Sequence, residues 1–550
     1  MERVWVKNYM PGVPSEIELN NYHSLVGIFE EAVSQYSDRI AYVNMGREMS
    51  FQELDRLSSH FGSYLQNELK LPKGSRIAIM LPNVLQYPVC LFGALRAGYV
   101  VVNCNPLYTA RELEFQLKDS GADAIVILEN FAHVLEATQT EFKIKNIFVT
   151  SLGEMLPFPK SAIVNFVVRK IKKMVPKWNL ENTHSLKTAF SYQGQKLNKP
   201  NLTLEDIAFL QYTGGTTGVS KGAMLTHGNI VANLQQAQAW LNPLLESSGE
   251  IIITALPLYH IFALTANCLT FLKIGAKNIL ITNPRDIPGF VKEMSRYPFT
   301  TITGVNTLFN ALVNNTEFKK LDFSKLKIAL GGGMAVQKAV AEKWKSITGK
   351  PLVEAYGLTE TSPAATINPL NLQEYNGSIG LPLPSTEIAI RNENGQYLSP
   401  TEIGEICIRG PQVMKGYWNR PDETEKVLLP DGFLLTGDLG YIDHEGYVYV
   451  VDRKKDMILV SGFNVYPNEV ESVIALHPGV LEVAAIGVAD EKSTEAVKVF
   501  VVKKDPALTA EEIIEYSRKH LTAYKVPKHV EFKTELPKTN VGKILRRALR

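Results

Sequence analysis

With 550 residues the chain is too long for one hydrophobic core, so two or more domains are expected, each large enough to fold without disulfide or metal staples. Its 45% apolar and 21% charged content is ordinary for a globular enzyme, and a formal net charge of +2 offers no whole-molecule footprint for nucleic acid. Cys90, Cys104, Cys268 and Cys407 are scattered, with no Cys-x-x-Cys pair and no His/Cys cluster, which argues against a zinc site or disulfide framework and for a reducing, cytoplasmic setting.

The first residues, Met1 to Lys7, carry charge where a signal peptide needs its apolar core, so secretion is not expected. A Ser cap at Ser24 predicts a helix over 24–35, and Ser50 followed by Glu53 has the spacing of a capping box opening another. Residues 76–80 predict a strand and Asn83 the start of a helix running towards Gly98, while 99–102 and 124–128 are apolar runs typical of strands buried on both faces. This alternation predicts an α/β fold.

Residues 160–178 break the pattern: Ile163, Phe166, Ile171, Met174 and Trp178 are interleaved with Arg169, Lys170, Lys172, Lys173 and Lys177. Two readings stand, a surface helix docked on the body with its lysines in water, the commoner outcome, and a peripheral contact with an anionic membrane. Residues 251–272 have membrane length and no Asp, Glu, Lys or Arg. Pro257, His260, Asn267 and several threonines make a buried strand, a turn and a core helix the better expectation.

After the strand-like residues 207–211 comes Tyr212-Thr213-Gly214-Gly215-Thr216-Thr217-Gly218-Val219-Ser220-Lys221-Gly222. Glycines let backbone N–H groups converge on an anion, hydroxyls donate further, and a lysine offsets charge, so this loop suits a polyphosphate. It is not a Walker A loop, because its lysine lies between Ser220 and Gly222. A mobile Gly/Thr turn is the plain alternative. Further on, residues 328–330 run into Gly331, Gly332 and Gly333, where a flat ring can approach the backbone. Tyr356-Gly357-Leu358-Thr359-Glu360 offers an aromatic face, a hydroxyl and one carboxylate, sufficient for a magnesium ion carried by a triphosphate. Thr436-Gly437-Asp438 ends in a carboxylate able to accept from two ribose hydroxyls. Each alone is more ordinarily packing, a loop or a turn.

Taken in order, with Arg453 in Asp452-Arg453-Lys454-Lys455-Asp456 and Lys543 in Pro537-Lys538-Thr539-Asn540-Val541-Gly542-Lys543, the set resembles the acyl-adenylate-forming superfamily of acyl-CoA synthetases, luciferases and peptide-synthetase adenylation domains. The resemblance covers about residues 24–550. One departure is Ser220, where many members have proline, a residue that stiffens but donates nothing. Residues 431–440 and 451–455, with the Tyr212 version of the loop, are most similar to bacterial long-chain fatty-acid–CoA ligases.

The resemblance implies a large N-terminal domain, 1–452, of helix-flanked sheets plus a small β-barrel near 360–450, and a smaller mobile α+β domain, 453–550. It implies ATP, Mg²⁺ and coenzyme A, with Thr213, Gly214, Gly215, Thr216, Thr217, Gly218 and Lys221 on the β- and γ-phosphates and Thr359 near the α-phosphate. Glu360 would hold the metal. Gly331, Gly332, Gly333 and Tyr356 would sandwich adenine, with Gly357 also at the ATP site, Asp438 and Arg453 would hold the ribose, and Lys543 would bridge the acyl carboxylate and α-phosphate. Lys455 would be the hinge that swings Lys543 out and the Gly462 loop in for the thiol. His260, Val305 and Phe309 are assigned to the acyl site. Expected partners are a long-chain fatty acid, ATP and coenzyme A, with a homodimer and a peripheral membrane contact as further expectations and no nucleic acid. Other readings are a medium-chain or aryl acid–CoA ligase, a peptide-synthetase module, expected to continue into a carrier domain, and a non-enzymatic acyl-nucleotide-binding protein, expected to lack Lys543 or Glu360.

Overall fold

A computed structural model describes residues 3–138, 143–213, 220–245, 249–490, 493–539 and 541–550. Two large sheets meet back to back through helices. The first has seven strands in the order Thr183–Ser185, Asn146–Thr150, Ala124–Leu128, Arg76–Met80, Val100–Asn103, Ile207–Thr213 and Lys221–Thr226, parallel except for the last. Residues 77–80 and 124–128 of its central strands are wholly buried, which explains their unbroken apolar sequences. The second has nine strands and carries Ile251–Thr254, Thr301–Gly304, Ile328–Gly332 and Leu352–Gly357 as parallel neighbours, so four chain segments deliver their C-terminal ends to one edge.

The helix starting after Ser24 is Leu25–Gln35. Ser50 caps Phe51–Asn67 by accepting from the Glu53 N–H at 3.1 Å, but the Glu53 carboxylate turns to Arg47 at 2.7 Å, so only one arm of the box forms. The helix expected from Asn83 begins at Gln86. Asn83 is buried and crosslinks the sheets instead: its Nδ2 donates to the carbonyls of Thr254 and Leu256 and its Oδ1 accepts from Leu258 N–H. Residues 251–272 are the buried strand Ile251–Thr254, a turn, and the helical segments Ala263–Leu269 and Thr270–Lys273. Among the described residues no helix is long and apolar enough to cross a membrane.

The segment at 160–178 is helical over Lys160–Phe166 and Val167–Ile171, docked by buried Val168 and by Arg169, which pairs with the buried Glu129 carboxylate at 2.8 Å. Its apolar side faces outward: Phe158 is 87% exposed, and Ile163, Phe166, Ile171 and Met174 are exposed with Lys170, Lys172, Lys173 and Lys177.

The β-rich part near 360–450 is a four-stranded antiparallel sheet, Glu387–Arg391, Gly404–Arg409, Leu434–Ile442 and Val448–Arg453, whose end strands are not neighbours in the sheet order, so it is open. A last sheet starts at Ile458 and packs Pro467–Ile474 and Ala510–His520 around its own core, including Val470, Ile474, Val499 and Ile513.

Candidate active site

Strand pairing sets the first anchor. Asp438 and Arg453 are register partners on neighbouring antiparallel strands, which brings Arg453 Nε 2.8 Å from Asp438 Oδ1. From the nine-stranded sheet, Tyr356 reaches across and its hydroxyl donates to Asp438 Oδ2 at 2.7 Å. Asp438 is 3% exposed, so its two oxygens are fixed by a phenol and a guanidinium before any further donor arrives.

Next to this anchor the chain has been stripped of side chains. A Cβ on Gly332 would meet the Ala355 carbonyl and the Phe262 ring at 3.1 Å, and one on Gly333, where φ is +77°, would meet Lys543 Cε at 3.1 Å. Gly357 has no room for one at all, the Pro363 carbonyl lying 1.8 Å from that position. Gly331 is buried within its strand and does not line the cavity.

Beyond Gly357, the turn Thr359–Thr361 presents Thr359 and Glu360. Glu360 Oε1 accepts from the Tyr417 hydroxyl at 2.7 Å. Lys221, opening the edge strand of the seven-stranded sheet, pairs with Glu423 and sits 5.2 Å from the centre of the Tyr417 ring. Thr213 lines the same space; Gly214, Gly215, Thr216, Thr217 and Gly218 lie outside the described residues.

Lys543 comes from the far end of the chain. Its tail turns at Gly542, where φ is +84°, with the Lys543 N–H donating to Thr539 Oγ1 at 3.1 Å, and docks on the large domain through Thr307 Oγ1, which donates to the Gly542 carbonyl at 2.8 Å. Enclosure lowers the Lys543 pKa to about 8, helped by nearby Arg453 and opposed by Asp438 and Glu360.

These side chains converge on one cavity of about 1950 Å³, lined by Thr213, Lys221, Tyr356, Glu360, Asp438 and Lys543 among others. Single small-molecule pockets run to about 300–1,000 Å³, so this volume accommodates more than one reactant. Arg453, Gly332, Gly333, Gly357, Thr359, His260 and Lys455 also line it. The lining also includes Asn233, Ala237 and Leu241 of the helix His227–Leu241, together with Ala266, Thr270 and Phe271.

The acyl residues expected from the sequence divide. His260 is on the cavity wall, held neutral because enclosure lowers its pKa to about 3, with Nδ1 accepting from Phe262 N–H at 3.3 Å. Val305 borders only a small adjoining void beside His260 and Lys543. Phe309 is a correction: it lies in the core 4.9 Å from the Trp344 ring, because the helix Asn306–Asn314 turns that face away from the cavity. Gly462, with φ +84° and no atom within 4 Å of a Cβ, stands outside the cavity in an exposed loop. The residues that sequence reasoning missed are Tyr417 and Glu423. Their only local signal was the pairing of Gly416-Tyr417-Trp418 with an edge strand, visible once Met224 N–H is seen donating to Gly416 O at 2.9 Å.

A family model described as AMP-binding enzyme matches residues 29–418, and one described as AMP-binding enzyme C-terminal domain matches 469–543. The chain is similar to a long-chain-fatty-acid–CoA ligase of Yersinia pestis, 58% identical, and to one of Escherichia coli O157:H7, 57% identical, each over 100% of this chain and 98% of theirs. Its fold resembles the crystal structure of the anthranilate CoA ligase AuaEII in complex with anthranoyl-AMP, with TM-score 0.86 and 25% identity over 97% of this chain and 98% of that one.

Proposed function

This chain belongs to the AMP-binding enzyme family, and from that premise we propose that its cavity converts long-chain fatty acids into acyl-CoA thioesters, driven by ATP. A free carboxylate resists a thiol because its leaving group would be oxide. The acid therefore attacks the α-phosphorus first: a carboxylate oxygen forms the new P–O bond as the bond to pyrophosphate breaks. The thiol of coenzyme A then adds to the acyl carbon of the adenylate, and AMP leaves. Charge accumulates on the phosphates in the first step, so fixed cations and donors aimed there supply most of the acceleration.

The observation that carries this reading is convergence: Lys543 shares one cavity with Lys221, Glu360, Asp438 and Arg453, which come from separate parts of the chain. Asp438 and Arg453 hold the ribose, with Tyr356 and the glycines at 332 and 333 against adenine. Lys221 and Thr213 take the terminal phosphates and Thr359 the α-phosphate. Lys543, still largely a cation near neutral pH, stabilises the carboxylate and α-phosphate as they approach each other, and their negative charge favours its protonated form. Glu360, a single carboxylate on the cavity wall, fits a magnesium ion borne mainly by phosphate oxygens and water, because such an ion needs few hard oxygen ligands from protein. Bound there, the ion would neutralise phosphate charge.

The lining along His227–Leu241 supports room for an alkyl chain. Asn233, Ala237 and Leu241 lie at i, i+4 and i+8, a lining of about 12 Å at the helical rise. An extended alkyl chain advances about 1.25 Å per carbon, the zigzag projection of a C–C bond, so roughly ten carbons fit along that stripe. That length exceeds an aryl or short acid, and the long-chain-fatty-acid–CoA ligases to which the chain is similar support the long-chain over the medium-chain reading. Fatty-acid-dependent ATP–pyrophosphate exchange, followed by CoA-ester yield against a ladder of acids, tests the reading. Yield peaking with aryl, short or medium-chain acids refutes the chain-length part, and no exchange with any acid refutes the ligase.

Thioester formation uses a second arrangement, in which rotation at Lys455 withdraws Lys543 and brings the Gly462 loop to the cavity. The exposed apolar side of residues 158–174, flanked by four lysines, supports a peripheral contact with anionic lipid. Liposome co-sedimentation should fall when Phe158 and Phe166 are made polar and Lys170, Lys172, Lys173 and Lys177 neutral; unchanged sedimentation removes the contact.

A further inference from the structure

One short segment engages both charged groups assigned above to the triphosphate end. Residues 415–418 run beside the edge strand Lys221–Thr226: Lys415 N–H donates to Met224 O at 3.0 Å and Trp418 N–H to Gly222 O at 2.8 Å. A further anchor is Asp119, which accepts from Arg420 Nη2 at 2.6 Å and from the Tyr212 hydroxyl at 2.7 Å. From this fixed base Tyr417 donates to Glu360, and the helix Pro421–Glu425 sends the Glu423 carboxylate to Lys221. Lys426 grips the other oxygen of Glu423, and the two ammonium groups hold that carboxyl well below its usual range. The helix is locked to Tyr417 in turn, whose N–H donates to Thr424 Oγ1 at 2.9 Å.

We propose that residues 417–426 are a clasp whose carboxylate competes with the triphosphate for Lys221, so that Glu423 is a positioning residue that sets the affinity for ATP and for departing pyrophosphate. Lys221 cannot place its full charge on phosphate while it is paired with Glu423, so binding must exchange one anion for the other. The same exchange run backwards lets pyrophosphate leave, because Glu423 recaptures the lysine. Tyr417 does the analogous thing at Glu360, occupying one carboxylate oxygen with a hydroxyl. The inference rests on the adenylation reading above.

Calorimetric titration of ATP, and separately of inorganic pyrophosphate, with no fatty acid present provides the test. Glu423→Gln should tighten both by about threefold to tenfold, the range for releasing a partly exposed ion pair. Glu423→Asp, which keeps the charge, should stay near wild type. In steady state the KM for ATP should fall in Glu423→Gln while the KM for fatty acid does not move. In a Lys221→Gln background the added Glu423→Gln change should have no effect, because the competition acts through that lysine. Tightening that persists in that background overturns the clasp and assigns the effect to the general field. So does unchanged or weaker pyrophosphate binding in a folded Glu423→Gln protein. A wild-type enzyme without fatty-acid-dependent exchange instead fails the parent reading, so the two failures are distinct.

Discussion

The two ends of the cavity proposed to take ribose and phosphate are built on opposite plans. At the ribose end, Asp438 is almost wholly buried and pinned by Tyr356 and Arg453, which two sheets deliver to it. At the phosphate end, Lys221 and Glu423 are 13% and 20% exposed, and the carboxylate comes from a helix of five residues. On the proposed assignment, the group that stays put through both half-reactions meets a prepaired receptor, whereas the part that departs as pyrophosphate meets an ion pair that must exchange. Preorganisation lowers the cost of binding, and a competing anion assists release.

Lys543 sits between these ends, and removing it should produce the largest effect. Lys543→Ala is expected to reduce adenylation by about 10²–10³, the scale of losing one fixed charge aimed at a transition state, while thioester formation from supplied acyl-adenylate is largely retained. Equal loss of both half-reactions would break the division of labour. Asp438→Asn comes next: weakening charge-assisted bonds to ribose should raise the KM for ATP by roughly tenfold to a hundredfold. That change is opposite in sign to Glu423→Gln, which sharpens the comparison; the same sign at both ends would erase it.

The lowered pKa of Lys543 gives a pH signature. The unfolded chain keeps this lysine protonated to about 10.5 and the folded protein only to about 8. Between those values the unfolded state binds the extra proton, so this group's contribution to stability rises with pH, and below pH 8 burying the cation costs its full amount. Thermal melts should therefore show Lys543→Met more stable than wild type at pH 7, with the gap closing between pH 8 and 10.5. A gap independent of pH would place the gain in packing. ATP binding at pH 8 should also take up protons, readable by calorimetry in buffers of different ionisation enthalpy. The smallest effect is expected from Tyr417→Phe, which frees one Glu360 oxygen: about a twofold drop in the magnesium concentration for half-maximal exchange, as befits one hydrogen bond of modest net worth.

The strands at 76–80 and 124–128 were legible because burial on both faces fills residues 77–80 and 124–128 with apolar side chains. The residues assigned to the nucleotide could be picked out because each sits in a short local pattern, such as Tyr356-Gly357 or Thr436-Gly437-Asp438, and the patterns recur in a recognisable order. What escaped was partner choice. Asn83 delayed its helix to bridge two sheets, and Glu53 left its cap for Arg47. Phe309 turned into the core beside Trp344, a direction fixed by which face of its helix the neighbouring sheet covers.

The sequence alone determined which chemical groups this protein possesses and the order in which the chain visits them, since side-chain chemistry and local backbone preference are written residue by residue. Only the tertiary structure decided that Glu423 faces Lys221, that Tyr417 reaches Glu360, and that Lys543 enters the same cavity. Those meetings join positions far apart in the chain, and they depend on strand register and domain docking, which no local pattern encodes.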